Sequence, residues 1–192
     1  MFIDFLTIIM INLVAGTVLL AYYIYKGIDA EDQRSFAAGF GAVGLLSIIL
    51  GLVMTFTWPL PGSYNIGFGE ATTLFGFVFL SAALAISQGW NLMPVAIYAF
   101  FSGVYAILVG VRILDLQMTK EPLLSGAGFI LAGLGGVLAA PAHRLLLKYK
   151  TLRLIAAILL LIVALLWAST FINALWSHLE SFQSWLPATF AQ

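Results

Sequence analysis

Ala156-Ala157-Ile158-Leu159-Leu160-Leu161-Ile162-Val163-Ala164-Leu165-Leu166-Trp167 is an unbroken apolar run with no alternation of polar and apolar residues. A strand of an outer-membrane barrel needs period-two alternation in pieces of about ten residues, so this run excludes that architecture. It is the middle of a longer stretch, Leu152 to Asn173. At about 1.5 Å rise per residue, roughly 20 residues of helix cross about 30 Å of hydrocarbon. The run is therefore read as a membrane-spanning helix.

Five more stretches of the same kind lie outward from it: Phe5 to Tyr25, Phe36 to Thr57, Glu70 to Ile86, Leu92 to Leu114 and Leu123 to Ala140. The fold class expected is all-α, a polytopic membrane bundle of six transmembrane helices. Residues 1–173 form the six-span domain, and residues 174–192 an amphipathic tail. In that tail Leu175, Leu179, Phe182 and Leu186 recur at helical spacing, which predicts an interfacial helix lying on the outer face. An acid, Asp4, stands where a signal peptide would carry a base, and the apolar run that follows is too long for one. The first span is thus expected to be retained, with Asp4 in the place of its N-cap.

Composition narrows the function classes. Only 8% of residues are charged, against about 25% in soluble domains. A net charge of zero offers no general attraction to nucleic acid. Cysteine is absent, which removes disulfides and thiolate metal sites. His143 and His178, the two histidines, are assigned to opposite faces, so a pair of axial haem ligands is not expected. No phosphate-binding loop or His-x-x-x-His zinc pattern is present. No cofactor or metal is expected.

Basic residues set the orientation. Lys26, Arg34, Arg144, Lys148, Lys150 and Arg153 flank the first and fifth loops, whereas Arg112 and Lys120 flank the fourth, with acidic neighbours in Asp115 and Glu121. The positive-inside rule then places loops one, three and five in the cytoplasm and both termini outside. Gly128, Ala132, Gly136 and Ala140 recur every fourth residue and form a smooth stripe for close helix packing. The pattern Ala38-Gly39-Phe40 with Gly44-Leu45 returns as Ala127-Gly128-Phe129 with Gly133-Leu134. A three-plus-three inverted duplication would leave such a trace, although matches of this length arise readily by chance in Gly- and Ala-rich sequence.

The second loop is the most unusual stretch, running from Thr55 through Trp58-Pro59-Leu60-Pro61-Gly62-Ser63-Tyr64-Asn65 to Glu70. It carries no charge before Glu70 and is rich in aromatics, Pro and Gly. Two readings stand: an interfacial loop in the aromatic belt, or a loop folded back over a pocket. The candidate outer pocket comprises Glu70, Arg112, Asp115, Tyr64, Asn65, Trp58 and His178. Glu70 is read as the first residue of span three, where it would either complement the helix dipole or serve as a ligand- or proton-binding carboxylate. Tyr64 or Asn65 is its expected partner, with Arg112 on the same face. Arg112 and Asp115, three apart, are placed to pair.

The run Thr57 to Ile66 with Phe68-Gly69-Glu70, together with Gly110-Val111-Arg112-Ile113-Leu114 and His178-Leu179-Glu180-Ser181-Phe182, resembles a family of small prokaryotic integral membrane proteins, Domain of Unknown Function 981. The resemblance covers nearly the whole chain. It implies a prokaryotic cell membrane and supplies no activity. Three functions follow: movement or sensing of a small solute or ion through an outer-facing pocket, service as an accessory subunit of a larger membrane complex, and a membrane enzyme using Glu70 and His178 as acid and base. The partners expected are the lipid bilayer and, as alternatives, other membrane subunits or a second copy of the chain.

Overall fold

The computed structural model describes residues 5–186, so Asp4 and the tail from Pro187 onward lie outside it. The described chain is six helices: α1 (Leu6–Tyr22, continued by a π-helical turn, Tyr23–Gly27), α2 (Ser35–Thr57), α3 (Ala71–Gln88, preceded by a π-helical turn, Asn65–Glu70), α4 (Met93–Leu116), α5 (Pro122–Lys148) and α6 (Lys150–Ser181). All six are long and apolar enough to cross a membrane. One end of the bundle carries the second and fourth loops and the described termini. The opposite end carries loops one, three and five, and is called here the Arg153 end.

Three boundaries differ from the expectation. Helix begins at Asn65, so Glu70 lies well inside the third span rather than at its start. α5 runs through Pro141 to Lys148, at the cost of one backbone hydrogen bond that the ring cannot donate. α6 continues without a break to Ser181, about 48 Å at 1.5 Å per residue. Residues 174–181 are therefore an extension of α6 and not a separate interfacial helix. The periodicity of Leu175, Leu179 and Phe182 was sound, but nothing between Asn173 and Ala174 interrupts the ladder.

Glycines decide which helices touch. In the α2–α3 hairpin a Cβ on Gly44 would lie 2.9 Å from the Gly76 carbonyl oxygen, and one on Gly51 would lie 2.9 Å from that of Gly69. In the α4–α5 hairpin Gly133 faces Gly103 and Gly126 faces Gly110 in the same manner. Each helix thus presents two glycines seven residues apart, and the first helix of each hairpin ends in a left-handed residue seven further on, Trp58 or Gln117. Close backbone approach of this kind is how membrane helices associate when no hydrophobic force acts between them. The internal repeat is a pair of like-oriented hairpins. A three-plus-three inversion would pack α1 on α2 as α4 packs on α5, whereas the principal neighbour of α1 is α6.

The stripe expected on α5 divides its work. Gly136 meets Ala99 and Gly103 of α4, while Gly128 leaves room for the Trp167 ring of α6, 3.5 Å from where its Cβ would be. Ala132 packs beside Phe129 and Trp167, and Ala140 is half-buried. Gly126 and Gly133 add equally close contacts with α4. Two polar ties complete the bundle. Asn12 of α1 donates to the Val43 carbonyl at 2.9 Å and to Ser47 Oγ at 2.8 Å on α2. At the far end Arg153, almost wholly buried, donates to the carbonyls of Leu146 and Leu147 and pairs with Asp29.

Candidate functional site

The second loop is shorter and better ordered by its own groups than its composition suggests. α2 ends at Trp58, whose φ of 50° turns the chain. Two prolines bar helix through Pro61, and Gly62 takes a φ of 56°. Asn65, fully buried, then ties the loop down: its Oδ1 accepts from the Leu60 amide at 2.9 Å and its Nδ2 donates to the Leu60 and Gly62 carbonyls. Leu60 packs with Phe5, Ile9 and Met54, and the Tyr64 ring stacks on Phe68 at 5.8 Å. Asn65 and Tyr64 are thus structural members of the loop and make no contact with Glu70 among the described hydrogen bonds. Trp58 is half-exposed.

Glu70 has a different partner. The Tyr105 hydroxyl of α4 donates to Glu70 Oε2 at 2.6 Å and lies 3.2 Å from the Ile66 carbonyl. A phenol has one proton to give, so the carboxylate, closer and charged, takes it. The carbonyl belongs to the π-helical turn Asn65–Glu70, a local break in the i to i−4 ladder of the kind frequent at functional sites. Tyr105→Phe removes the donor and leaves a half-buried carboxylate short of a bond, which is expected to cost about 1–3 kcal/mol. Glu70→Gln keeps an acceptor for Tyr105 and is expected to cost less than half of that. Chemical unfolding in mixed micelles measures both, and equal costs would remove the pair as a specific contact.

Arg112 and Asp115 pair as their spacing requires, but both side chains are more than half exposed. Such a pair contributes at most about 1 kcal/mol. Neither residue hydrogen-bonds or ion-pairs with Glu70 among the described residues. Tyr105 lies seven residues before Arg112 on α4, so the partner of Glu70 stands two turns from the arginine expected near it.

His178 belongs to another place. Its ring sits 5.8 Å from Phe182, edge to face, and it lines a cavity of about 570 Å³ at the terminal end. The cavity is mainly apolar below, at Ile9, Met10, Leu13, Phe129 and Trp167 with Thr72 and Thr170, and mainly polar around its mouth, at Lys120, Glu121, Ser125, Asn173, Ser177 and His178. Glu70 does not line it. The acid–base pair of Glu70 and His178 that a membrane enzyme would need is not assembled in this cavity.

A second cavity, about 250 Å³, lies toward the Arg153 end and is lined by Thr17, Phe75, Ala132, Val163 and His143, among mainly apolar neighbours. The two share α1, α3, α5 and α6. On each of these helices the lining residues of one come within a single turn of the other: Leu13 and Thr17, Thr72 and Ala71, Phe129 and Ala132, Trp167 and Val163. Phe68, Phe129 and Trp167 line the larger cavity where the two adjoin, and Phe129 meets Trp167 at 5.1 Å and Phe68 at 5.9 Å.

Residues 1–181 match the sequence pattern of the family described as Protein of unknown function (DUF981). The chain belongs to the DUF981 family. No curated protein and no solved structure matches this DUF981 chain.

Sequence reasoning missed three contributors in this DUF981 protein: Tyr105, Trp167 and the polar mouth at residues 119–125. Tyr105 carried a usable signal, since a hydroxyl inside a span must find a partner. The mouth carried a weaker one. Lys120 and Glu121 read as an ordinary charged loop, and only the fold brings them beside α6.

Proposed function

We propose that this protein moves or senses a small solute through the interior of its bundle. The observation that supports the reading is the pair of neighbouring cavities on shared helices, which we read as one path with the aromatic cluster of Phe68, Phe129 and Trp167 between its two parts. Protein interiors are packed to nearly crystalline density, and a bundle serving only as a scaffold gains nothing by leaving this space on its axis. A layer such as Phe68, Phe129 and Trp167 is the type of apolar constriction that closes a path by excluding water. The bias of basic residues toward loops one and five argues for a cytoplasmic Arg153 end, and hence for a larger cavity facing out of a prokaryotic cell membrane.

The chain has no cysteine, so single substitutions report access directly. Ser125→Cys is expected to react with a membrane-impermeant cationic thiol reagent added outside. Thr17→Cys is expected to react from that side at least roughly tenfold more slowly, because the layer stands between. Adding Trp167→Ala should bring its rate close to that of Ser125→Cys. Labelling of Ser125→Cys only from the cytoplasm would reverse the orientation. A Thr17→Cys rate indifferent to Trp167 would end the in-line reading.

A second reading, an accessory subunit, is favoured by the end of α6 and the residues after it, where Trp176, Leu179, Trp185 and Leu186 are all exposed. Exposed aromatics also anchor helices at the membrane interface. Mild-detergent purification separates the cases, since a subunit leaves the membrane with a partner, or a second copy of the chain, at fixed stoichiometry.

A further inference from the structure

The mouth and floor of the larger cavity differ in a way that specifies a ligand. We propose that this cavity takes a single-chain amphiphile with an acidic head group, an inference that rests on the cavity being the solute site argued above. Below the mouth the lining is Ile9, Met10, Leu13, Phe68, Phe129 and Trp167, with the hydroxyls of Thr72 and Thr170 and no charged side chain. An apolar chain entering there exchanges contact with water for contact with these side chains, the term that dominates small-ligand binding. A volume of about 570 Å³ lies within the usual range for small-molecule sites, about 300–1,000 Å³. That suits one chain and not the two of a membrane diacyl lipid.

The head group is set by the mouth. Lys120 and His178 stand there with the hydroxyls of Thr119, Ser125 and Ser177, against one carboxylate, Glu121. Thr119 and Ser125 already bond to each other at 3.1 Å, which fixes that side of the rim. Lys120 makes no ion pair among the described residues, the pairs there being Arg112 with Asp115 and Arg153 with Asp29. Its ammonium is therefore available to an incoming anion, while Glu121 beside it repels one. A carboxylate and a phosphate monoester share this chemistry. Trp167 lines the apolar part of the cavity, so an apolar chain held there meets the indole.

The indole supplies the readout. Trp58, Trp90, Trp176 and Trp185 are replaced by Phe in the full chain, leaving Trp167, and the protein is placed in phosphatidylcholine nanodiscs. It is titrated with a terminally brominated medium-chain fatty acid, the phosphate monoester of the same chain and the corresponding alcohol. Saturable quenching by the acids is expected, with the alcohol about tenfold weaker, as the loss of one charge-assisted contact implies. Preferred binding of the carboxylate or of the phosphate identifies which acid the site takes. Lys120→Gln should weaken the acids about fivefold to tenfold and leave the alcohol unchanged, whereas Glu121→Gln should tighten the acids. Equal binding of alcohol and acid, or acid binding that Lys120→Gln does not weaken and Glu121→Gln does not tighten, overturns the acidic head and leaves the cavity standing. Quenching that is linear, unsaturable and indifferent to Lys120 is partition into the bilayer alone, and overturns both the ligand and the solute site.

Discussion

Gly103→Ala is expected to unseat the α4–α5 hairpin. A Cβ at Gly103 would collide with the Gly133 carbonyl oxygen and stand 2.7 Å from the Val137 amide nitrogen. Both are backbone atoms of a helix and cannot swing aside as a side-chain end can. Overpacking commonly costs about 1–3 kcal/mol, and with two backbone clashes the expected loss is about 3 kcal/mol or more. Gly135, on the neighbouring helix, is the control. It is exposed, and its nearest atom to an added Cβ is Leu160 Cδ2 at 3.9 Å. There the helix preference for alanine should stabilise by up to about 1 kcal/mol. Leu161→Phe, at an exposed position of α6, should also be mild. Thermal unfolding in detergent reports all three, and a Gly103→Ala protein as stable as Gly135→Ala would mean that the hairpin is not held by this contact.

The second large effect is at Arg153. Its Nε donates to the Leu146 carbonyl at 2.5 Å and its Nη2 to that of Leu147 at 2.8 Å, while Nη1 pairs with Asp29 at 2.5 Å. One guanidinium thereby joins the first loop, the end of α5 and the start of α6. Arg153→Met would leave two carbonyls without donors, and about 2–5 kcal/mol of stability is expected to go with them. Arg153→Lys should recover only part, since a point-like ammonium cannot serve three acceptors set in a fork. The hydrogen bond and charge of Arg153 also hold the Asp29 carboxyl below its usual value. A depressed acid contributes stability that is present above its unfolded value and is lost as pH falls through the folded one. The wild-type protein should therefore weaken in acid more steeply than Asp29→Asn, and parallel acid profiles of the two would exclude the linkage.

Architecture was legible because length and hydropathy are summed over many residues, and in a bilayer every backbone group must be satisfied within its own helix. The second loop was legible as irregular from Pro59, Pro61 and Gly62. What escaped were events decided by one contact. The buried Arg153 looked like any basic residue of an inner loop. Gly126 and Gly133 looked no different from Gly128 and Gly136, since all lie on a Gly-rich helix and only the partner's position chooses among them. Glu70 was recognised as a group in need of a partner, and its partner, Tyr105, lay in another span at a separation no local pattern encodes.

The pairing of α1 with α6 has a consequence for synthesis. α1 must wait for α6 before its main neighbour exists, while each hairpin, α2–α3 and α4–α5, can close as soon as its second helix emerges. Until then α1 is tethered to the growing protein through the Asn12 bonds to Val43 and Ser47 and the packing of Tyr23 on Phe36 and Phe40. A nascent chain halted before α6 would thus hold two finished hairpins and an unclosed seam.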